Sequence, residues 1–484
     1  MSYSPPSQPL LPYRLLAWGL LVAFTLRFSL SFLHPFSADE AHYALYGFHL
    51  DASYFDHPPL TGWLYAFMLN INEQEWVVRL LPNVFNLLTA LGLFKLTKRL
   101  FPEQPFAAFW SVILYESSLL LNILSLGFIP DTPLVTLGVW ASYYLYKIIE
   151  QPTWKNWLML GALLGLMGLS KYTAILYALG AGIYLTIAGV EWWKTLKFYA
   201  ALGLAIVLIS PVLAWNMEND FISFLYQWEH GQVGESSVQI IPFFTSQLVQ
   251  LVTYSPILFL GCWCLSLLGL IRSKYRLLSA LNLITLGIFA YSSSKGGHYL
   301  PHWTALPMTL SLPFLIHWLL AKRWRIWLLK ANVALNTLVC LAMALLLAGF
   351  FPTQLTQLAL QDFNGWKLTS ERAYHHAQSI PPHHRQLFVD NIWVASRHAW
   401  YAKPVPVIPL DQRFSQFSLW YGSPVVGSSG LLVLNTELPI EKRFNLEGLF
   451  RECRLLETVK ESSFRGQSRF EIHHCQQLLP SDQY

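Results

Sequence analysis

Acidic and imidazole side chains are concentrated in one stretch of the sequence, between Ser37 and Leu60. This stretch reads SADEAHYALYGFHLDASYFDHPPL and follows directly on the first long apolar run of the chain. Charge held beside hydrocarbon costs several kcal/mol unless it is paired or used. The stretch is therefore predicted to carry polar chemistry, and the alternative is a solvated loop that turns at its double proline. Its ionisable residues are Asp39, Glu40, His42, His49, Asp51, Asp56 and His57.

The composition is typical of a protein that crosses a membrane several times. Of the 484 residues, 54% are hydrophobic and 12% are charged, and the mean hydropathy is +0.38. Apolar runs long enough to cross about 30 Å recur from Leu15 to Phe350. The first run is predicted to be a retained helix, because no small-residue cleavage site follows it. We expect about eleven transmembrane helices, near residues 14–34, 77–96, 106–124, 131–149, 156–170, 172–190, 196–215, 246–271, 276–293, 302–320 and 326–350.

The distribution of basic residues predicts the orientation of these helices, because cytoplasmic loops carry an excess of Lys and Arg. With the N-terminus in the cytoplasm, 15 of the 19 basic residues before position 351 fall in cytoplasmic loops or at the helix ends beside them. This orientation places Ser37–Leu60 outside, which in a bacterium is the periplasm. We therefore expect a multi-pass protein of the bacterial inner membrane whose polar stretch and C-terminal region both face the periplasm.

Four basic residues do not follow this bias: Arg27, Arg79, Lys171 and Lys295. Each lies in the outer half of a predicted helix or in an outer loop. Such residues need anionic partners, which are either structural carboxylates or an anionic substrate. Asp131 follows Pro130 at the start of a helix, and it is either a further acidic group at this membrane level or only the N-cap of that helix.

Taken together, the outer ionisable groups suit a lipid-linked phosphate substrate. Cationic side chains would hold the phosphate that leaves, and a carboxylate would deprotonate an incoming hydroxyl. Apolar walls would hold a polyprenyl tail, and nothing indicates a nucleic-acid partner. The groups are Asp39, Glu40, Asp56, Asp131, Arg27, Arg79, Lys171, Lys295, His42, His57, His298 and His302.

Beyond Pro352 the composition becomes polar and mixed in charge. Short apolar runs at 386–389, 405–408 and 431–434 alternate with polar segments that could be helices. This region is predicted to form a small α/β domain outside the membrane, and it contains no recognisable catalytic motif. It also contains Cys453 and Cys475, and two thiols of a small domain in an oxidising compartment tend to pair. The alternative is that both thiols are buried and reduced.

Six short motifs resemble the protein O-mannosyltransferase superfamily, and within it the bacterial branch that includes the aminoarabinose transferases of lipid A. They occur in order along residues 10–350. The resemblance implies a GT-C glycosyltransferase that takes its sugar from a polyprenyl phosphate. The motifs are ADEAHY with Asp39-Glu40, His57-Pro58-Pro59-Leu60, Val78-Arg79-Leu80-Leu81-Pro82, Pro130-Asp131-Thr132-Pro133, Gly168-Leu169-Ser170-Lys171-Tyr172, and KGGHYLPHW from Lys295 to Trp303.

Carried over by position, the resemblance implies that Asp39 is the essential carboxylate and the base for the acceptor. Glu40 would accompany it, and Asp131 would be the second acidic residue of the site. The aminoarabinose transferases have Lys where this sequence has His57, and His is only partly charged at neutral pH. Metal use varies in the superfamily, so a divalent ion at Asp39 and Glu40 is left open. The implied donor-phosphate ligands are Arg79, Lys171, Lys295, His57 and His298.

These observations predict a mainly α-helical membrane bundle of GT-C type over residues 1–351, with a catalytic outer loop at 35–76 and a periplasmic α/β domain at 352–484. The predicted function is inverting transfer of a sugar from a polyprenyl phosphate to an envelope acceptor, which is a lipid, a glycan or a protein. The alternative is a transporter or flippase of lipid-linked sugars. Transporters place charge near the bilayer midplane and often contain inverted repeats, and this sequence shows neither.

Overall fold

The computed structural model describes residues 10–230, 237–296, 299–411, 413–436 and 448–480. The chain divides into two compact units. The first unit contains the residues up to Ser29, His57–Thr61 and Val78–Ala342, and the second contains Leu30–Asp56, Gly62–Val77 and Met343 onward. The second unit therefore begins before the predicted boundary between residues 351 and 352, and it also includes most of the predicted outer loop.

The α-helices of the described residues are, in chain order, α1 Leu10–Leu30, α2 Ala38–Phe48, α3 Leu60–Ile71, α4 Glu75–Val78, α5 Leu80–Leu100, α6 Ala107–Ser117, α7 Leu119–Ile123, α8 Asp131–Glu150, α9 Trp154–Ser170, α10 Ala174–Ile187, α11 Leu196–Glu218, α12 Ile222–His230, α13 Ile240–Tyr254, α14 Pro256–Leu268, α15 Arg276–Ser293, α16 Ala305–Leu320, α17 Arg323–Leu347, α18 Thr353–Leu360, α19 Trp366–Ser379, α20 Ile392–Tyr401 and α21 Gln416–Tyr421. The strands are β1 Leu387–Val389, β2 Val407–Pro409, β3 Gly430–Asn435, β4 Phe450–Ser463 and β5 Gly466–Leu478.

Each of the eleven predicted membrane segments is mainly helical, and two of them are interrupted near the middle. The segment predicted at 106–124 breaks into α6 and α7 at Ser118. The segment predicted at 246–271 bends by 115° between α13 and α14. The bend occurs because Ser255 has a positive φ of 89° and Pro256, which has no backbone N–H to donate, starts the next helix.

The helices confirm a polytopic membrane protein, although the predicted count of eleven spans is not confirmed. Among the described residues six helices are long and apolar enough to cross a membrane, or seven if the bent pair forms one span. The apolar window of α1 is only 11% buried and that of α17 only 17%, against 72% for α16. Exposed apolar faces of this size require a surrounding that is not water, so α16 is a central helix and α1 and α17 face lipid.

Glycines allow the membrane helices to approach closely in the first unit. A Cβ atom on Gly161 would lie 2.3 Å from the carbonyl oxygen of Ala201, and one on Gly180 would lie 2.3 Å from that of Ala280. Helices in lipid gain little from hydrophobic contact with each other and depend on such close packing. These glycines therefore fix α9 against α11 and α10 against α15.

The second unit contains a mixed sheet with the strand order β2-β1-β3-β5-β4. Strand β1 is parallel to β2 and β3, whereas β5 is antiparallel to both β3 and β4. The three apolar runs that the sequence identified form β1, β2 and β3. The long β4–β5 hairpin was not predicted, because half of the residues of β4 are exposed and its sequence is polar. The core between sheet and helices includes Phe388, Ile408, Leu432 and Phe450.

Cys453 and Cys475 face each other across β4 and β5 and form a disulfide bond. Their Cα atoms are 4.1 Å apart. The predicted pairing is confirmed, and the alternative of two reduced thiols is wrong for this structure. The bond joins an outer strand of the sheet to its neighbour, so it stabilises the edge of the sheet.

Replacing both Cys453 and Cys475 by Ser should lower the free energy of unfolding of the second unit by about 3 kcal/mol, because the bridge closes a loop whose cysteines are 22 positions apart. Limited proteolysis of the full-length chain across a urea series measures the loss. The control is Cys264→Ser, which removes an exposed free thiol. Alkylation of both tail thiols in unreduced, denatured protein taken from its native membrane would contradict the bridge.

Candidate active site

A capping box fixes the start of α2 and the acidic pair that it carries. The Ser37 hydroxyl oxygen accepts a hydrogen bond from the backbone N–H of Glu40 at 3.3 Å. The Glu40 carboxylate accepts from both the backbone N–H and the hydroxyl of Ser37, each at 3.0 Å. Glu40 therefore has a structural task, although it was predicted as a catalytic and metal-binding residue. The Ser-x-x-Glu spacing was visible in the sequence as a helix-start signal.

Asp39 lies in the same first turn of α2 and is half-buried. Within the described residues it makes no hydrogen bond and no ion pair, in contrast to Glu40 beside it. Burial raises the pKa of the Asp39 carboxyl above its ordinary value of 3.8. His42 and Arg397 oppose this shift, whereas Glu40 and Asp56 add to it. A half-buried carboxylate with a raised pKa is a better proton acceptor than an exposed one.

A buried polar chain lies behind Asp39. His42 contacts Asp56 through Nε2, 3.3 Å from Oδ2, and contacts the hydroxyl oxygen of Ser396 through Nδ1 at 3.1 Å. The Tyr46 hydroxyl donates to the other oxygen of Asp56. The sequence identified His42 and Asp56 as ionisable groups but did not pair them. Their contacts hold α2 in place and set the charge around Asp39.

Arg397 is the functional candidate that sequence reasoning missed. It lies on α20, which packs against α2, and it is close enough to Asp39 to lower the pKa of that carboxyl. Its guanidinium donates two hydrogen bonds to Asp362, at 3.1 and 2.5 Å, and lies 4.6 Å from the ring centre of Trp366. No local signal in the tail could have revealed it, because its relation to Asp39 is created by tertiary packing alone.

The second predicted acidic residue, Asp131, belongs to the first unit and is ion-paired. Lys171 donates to both oxygens of the Asp131 carboxylate, at 2.8 and 2.7 Å, and both side chains are buried. His302 Nε2 lies 3.7 Å from the same carboxylate, and His57 also interacts with it electrostatically. The N-cap of α8 is Pro130, so the alternative that Asp131 is the N-cap is wrong.

The other basic candidates differ in how far the fold uses them. Arg27 pairs with Glu116 at 2.7 Å and donates to the buried Asn83 and Asn86, so it is a structural ion pair. Arg79 is buried at the start of α5. Lys295 is half-buried, 5.0 Å from the ring centre of Tyr291, and has no carboxylate partner in the part of the chain that the structure describes. His298 lies outside the described residues.

A resident metal ion has little support from side-chain geometry. Among the described residues no group of three or more His, Cys, Asp or Glu side chains is arranged to hold a metal ion. Asp39 and Glu40 alone would supply two carboxylates, and the cap already engages Glu40. Use of a divalent ion at this pair stays a prediction.

Comparison with known proteins shows which proteins this chain resembles. Residues 56–215 match the family model described as dolichyl-phosphate-mannose-protein mannosyltransferase. The fold is similar to that of ArnT from Cupriavidus metallidurans, with a TM-score of 0.62 in the apo state at 13% identity, covering 95% of this chain and 97% of that chain. The structure of the same protein bound to undecaprenyl phosphate gives a TM-score of 0.64 at 13% identity, covering 96% and 98%. The predicted resemblance to the GT-C glycosyltransferases of the O-mannosyltransferase superfamily is thus confirmed.

A particular relative is the lipid A galacturonosyltransferase RgtD of Rhizobium johnstonii. It is 23% identical over 328 residues, which cover 66% of this chain and 67% of the relative. The mycobacterial arabinofuranosyltransferase AftD also has a similar fold, with a TM-score of 0.51 at 16% identity, covering 97% of this chain and 40% of AftD.

Replacing Lys171 by Met should destabilise the first unit by about 3–5 kcal/mol, because Asp131 would be left buried without its partner. The double variant Lys171→Met/Asp131→Asn should recover much of that loss. Unfolding in detergent by a denaturant series measures all three proteins. If Lys171→Met alone were as stable as the native chain, the pair would not be structural and Lys171 would be available to a substrate.

Asp39→Asn should unfold at the same temperature as the native chain or at a higher one at pH 7. The reason is that the folded pKa of Asp39 lies above its unfolded value, so its ionised form opposes folding. This penalty is present above the folded pKa and disappears as the pH falls below 3.8. Thermal melts of both proteins from neutral to acidic pH test this, and a clear loss of stability in the variant at pH 7 would show that the fold needs the charge.

Proposed function

We propose that the chain is a membrane glycosyltransferase that moves a sugar from a polyprenyl-phosphate donor to an envelope acceptor, with Asp39 as the general base. The single observation that carries this proposal is the state of Asp39. Its carboxylate is half-buried, has a raised pKa and makes no hydrogen bond or ion pair with any described residue, whereas the adjacent Glu40 makes both of its cap contacts. A fold holds a charge in this way at a cost, which is expected where the charge serves a reaction.

The reaction is a single displacement at the anomeric carbon. The acceptor hydroxyl oxygen forms a bond to that carbon while the bond from the carbon to the phosphate oxygen breaks. Asp39 takes the hydroxyl proton, and the electron pair of the broken bond leaves with the polyprenyl phosphate. Attack on the face opposite the phosphate inverts the configuration. A general base at this step contributes typically about 100- to 10,000-fold to the rate.

Lys295 and Arg79 are the proposed ligands of the donor phosphate. Lys295 has no carboxylate partner among the described residues, so its three donors are open to an anion. Lys171 is less suited to this role, because Asp131 already engages its ammonium group. The structure of ArnT bound to undecaprenyl phosphate supports a donor of this kind, and the lipid A galacturonosyltransferase relative supports a lipid acceptor.

The reaction is proposed to take place on the periplasmic side of the bacterial inner membrane. The bias of basic residues supports this side. The Cys453–Cys475 bond supports it independently, because disulfides persist in oxidising compartments. The alkylation experiment described for these cysteines therefore also tests the orientation.

One observation favours the alternative of a transporter or flippase. The α13–α14 pair is bent by 115°, and broken helices occur in secondary transporters. A flippase would move a polyprenyl-phosphate sugar across vesicles without consuming it. Release of free polyprenyl phosphate in step with glycosylated acceptor distinguishes transfer from transport.

Asp39→Asn should abolish transfer while the protein remains inserted and folded, because an amide cannot accept the hydroxyl proton. The assay follows a radiolabelled sugar from its polyprenyl phosphate into envelope lipid in reconstituted vesicles. Lys295→Met is the comparison variant, since it should raise the donor KM and leave a measurable kcat.

Near-normal turnover by purified Asp39→Asn would show that Asp39 is not the general base of the transfer.

The acid limb of the pH–rate profile gives a second test of the role of Asp39. Removing the Arg397 charge with Arg397→Gln should raise the pKa of Asp39 further and move that limb to higher pH, whereas Arg397→Lys should leave it near its native position.

A further inference from the structure

A cavity of about 740 Å³ lies within the second unit. Its walls come from residues 31–35, 73–76, 363–371 and 400–403, with Glu461 and Arg465 from the β4–β5 hairpin. The volume falls inside the range of about 300–1,000 Å³ that is usual for small-molecule sites. None of the predicted acidic or donor-phosphate residues lines it.

The lining combines aromatic faces with charges of both signs. Trp76 and Trp400 contribute flat apolar surfaces. Four carboxylates and three cationic side chains share the same walls, so the charges nearly cancel. Carboxylates accept hydrogen bonds from hydroxyls, cations bind phosphates and sugar oxygens, and the tryptophan rings can cover the apolar face of a sugar. The charged residues are Glu73, Glu75, Glu371, Glu461, Lys367, Lys403 and Arg465.

Lys403 is the cationic residue of the cavity whose ammonium group is available to a ligand. Its ammonium nitrogen lies 3.3 Å from the ring centre of Trp400 and makes no hydrogen bond or ion pair with any described residue. Burial lowers the pKa of Lys403 to about 8, although Glu73 and Glu75 favour its charge. A half-buried ammonium from which no described protein group accepts a hydrogen bond has donors available to a bound anion or hydroxyl.

The cavity is connected to Asp39 by a short segment. Residues 31–35 of its wall follow directly on α1, and Asp39 comes four residues after Pro35, which an extended chain spans in at most about 14 Å. The hydroxyl of Tyr401 ties this segment to the wall, because it accepts from the Phe36 N–H at 3.0 Å and donates to Glu75 at 2.6 Å. A group bound in the cavity is thus held beside the start of α2.

We propose that this cavity binds the phosphorylated saccharide headgroup of a membrane-anchored glycolipid, which is the acceptor of the transfer. This inference rests on the proposed glycosyltransferase function. Lys403 binds a phosphate or sugar oxygen of the headgroup, Trp76 packs on a sugar ring, and the carboxylates accept from its hydroxyls. The location next to the end of a membrane-spanning helix suits a ligand whose acyl chains remain in the bilayer.

The test uses lipid A as the probe and the full-length chain with Asp39→Asn, so that binding is measured without turnover. The detergent must carry no sugar, because a maltoside would compete for the cavity. Lys403→Met should weaken retention of radiolabelled lipid A by about 10- to 100-fold, as expected for a lost hydrogen bond to a charged group. Trp76→Leu should weaken it by up to about tenfold. The matched controls, Lys460→Met and Trp393→Leu, change exposed side chains outside the cavity and should bind normally.

Kinetics with Asp39 intact separate this inference from the function on which it rests. Lys403→Met should raise the KM for the acceptor and leave the donor KM unchanged. A change in the donor KM alone, native retention of lipid A by both cavity variants, or no retention by the parent chain would overturn the cavity assignment while transfer itself stood. Retention that depends on Lys403 and Trp76 in a chain without any transferase activity would instead overturn the proposed function and leave the binding site in place.

Discussion

A charge in an apolar surrounding is stable only if another charge or a set of hydrogen bonds compensates it, and this constraint organises the whole molecule. Asp131 with Lys171 and Glu116 with Arg27 satisfy it inside the first unit. Glu40 satisfies it by closing the start of α2. Apart from these compensated groups, few of the predicted charged residues are left for a substrate. Asp39 is one of them, since it makes no hydrogen bond or ion pair with any described residue.

Some charged residues in the sequence motifs stabilise the fold, and others are left for a substrate. In the acidic pair of ADEAHY, Glu40 caps the start of α2, whereas Asp39 lies in the first turn and takes no part in the cap. Similarly, Pro130-Asp131 and Ser170-Lys171 come from different motifs but meet in one ion pair, and the Ser170 hydroxyl donates to the Pro130 carbonyl at 2.7 Å. Motifs that resemble a family can therefore preserve a framework as well as a reaction.

Local sequence patterns predicted the helices, the short strands and the cysteine pair well. Apolar length located all eleven helical segments, since each needs only its own residues to be recognised, and short apolar runs located β1, β2 and β3. Span count was harder, because the segments predicted at 106–124 and 246–271 break at Ser118 and Ser255. The relation of Arg397 to Asp39 and the cavity around Lys403 were not predictable, because each joins residues that are distant in sequence. His42 and Asp56 lie in one stretch, but their pairing depends on how the chain folds back after α2. The capping box at Ser37 was predictable and was overlooked.

The discontinuous second unit has a consequence for the order in which this protein is made. Helix α2 emerges early in translation, yet the helix it packs against, α20, is synthesised only near the end. Strand β5 is the last strand described and lies between β3 and β4, so the sheet cannot close until nearly the whole chain has been translated. The surroundings of Asp39 therefore form only after α20 has been translated, and a chain that terminates before α20 would lack Ser396 and Arg397 beside α2.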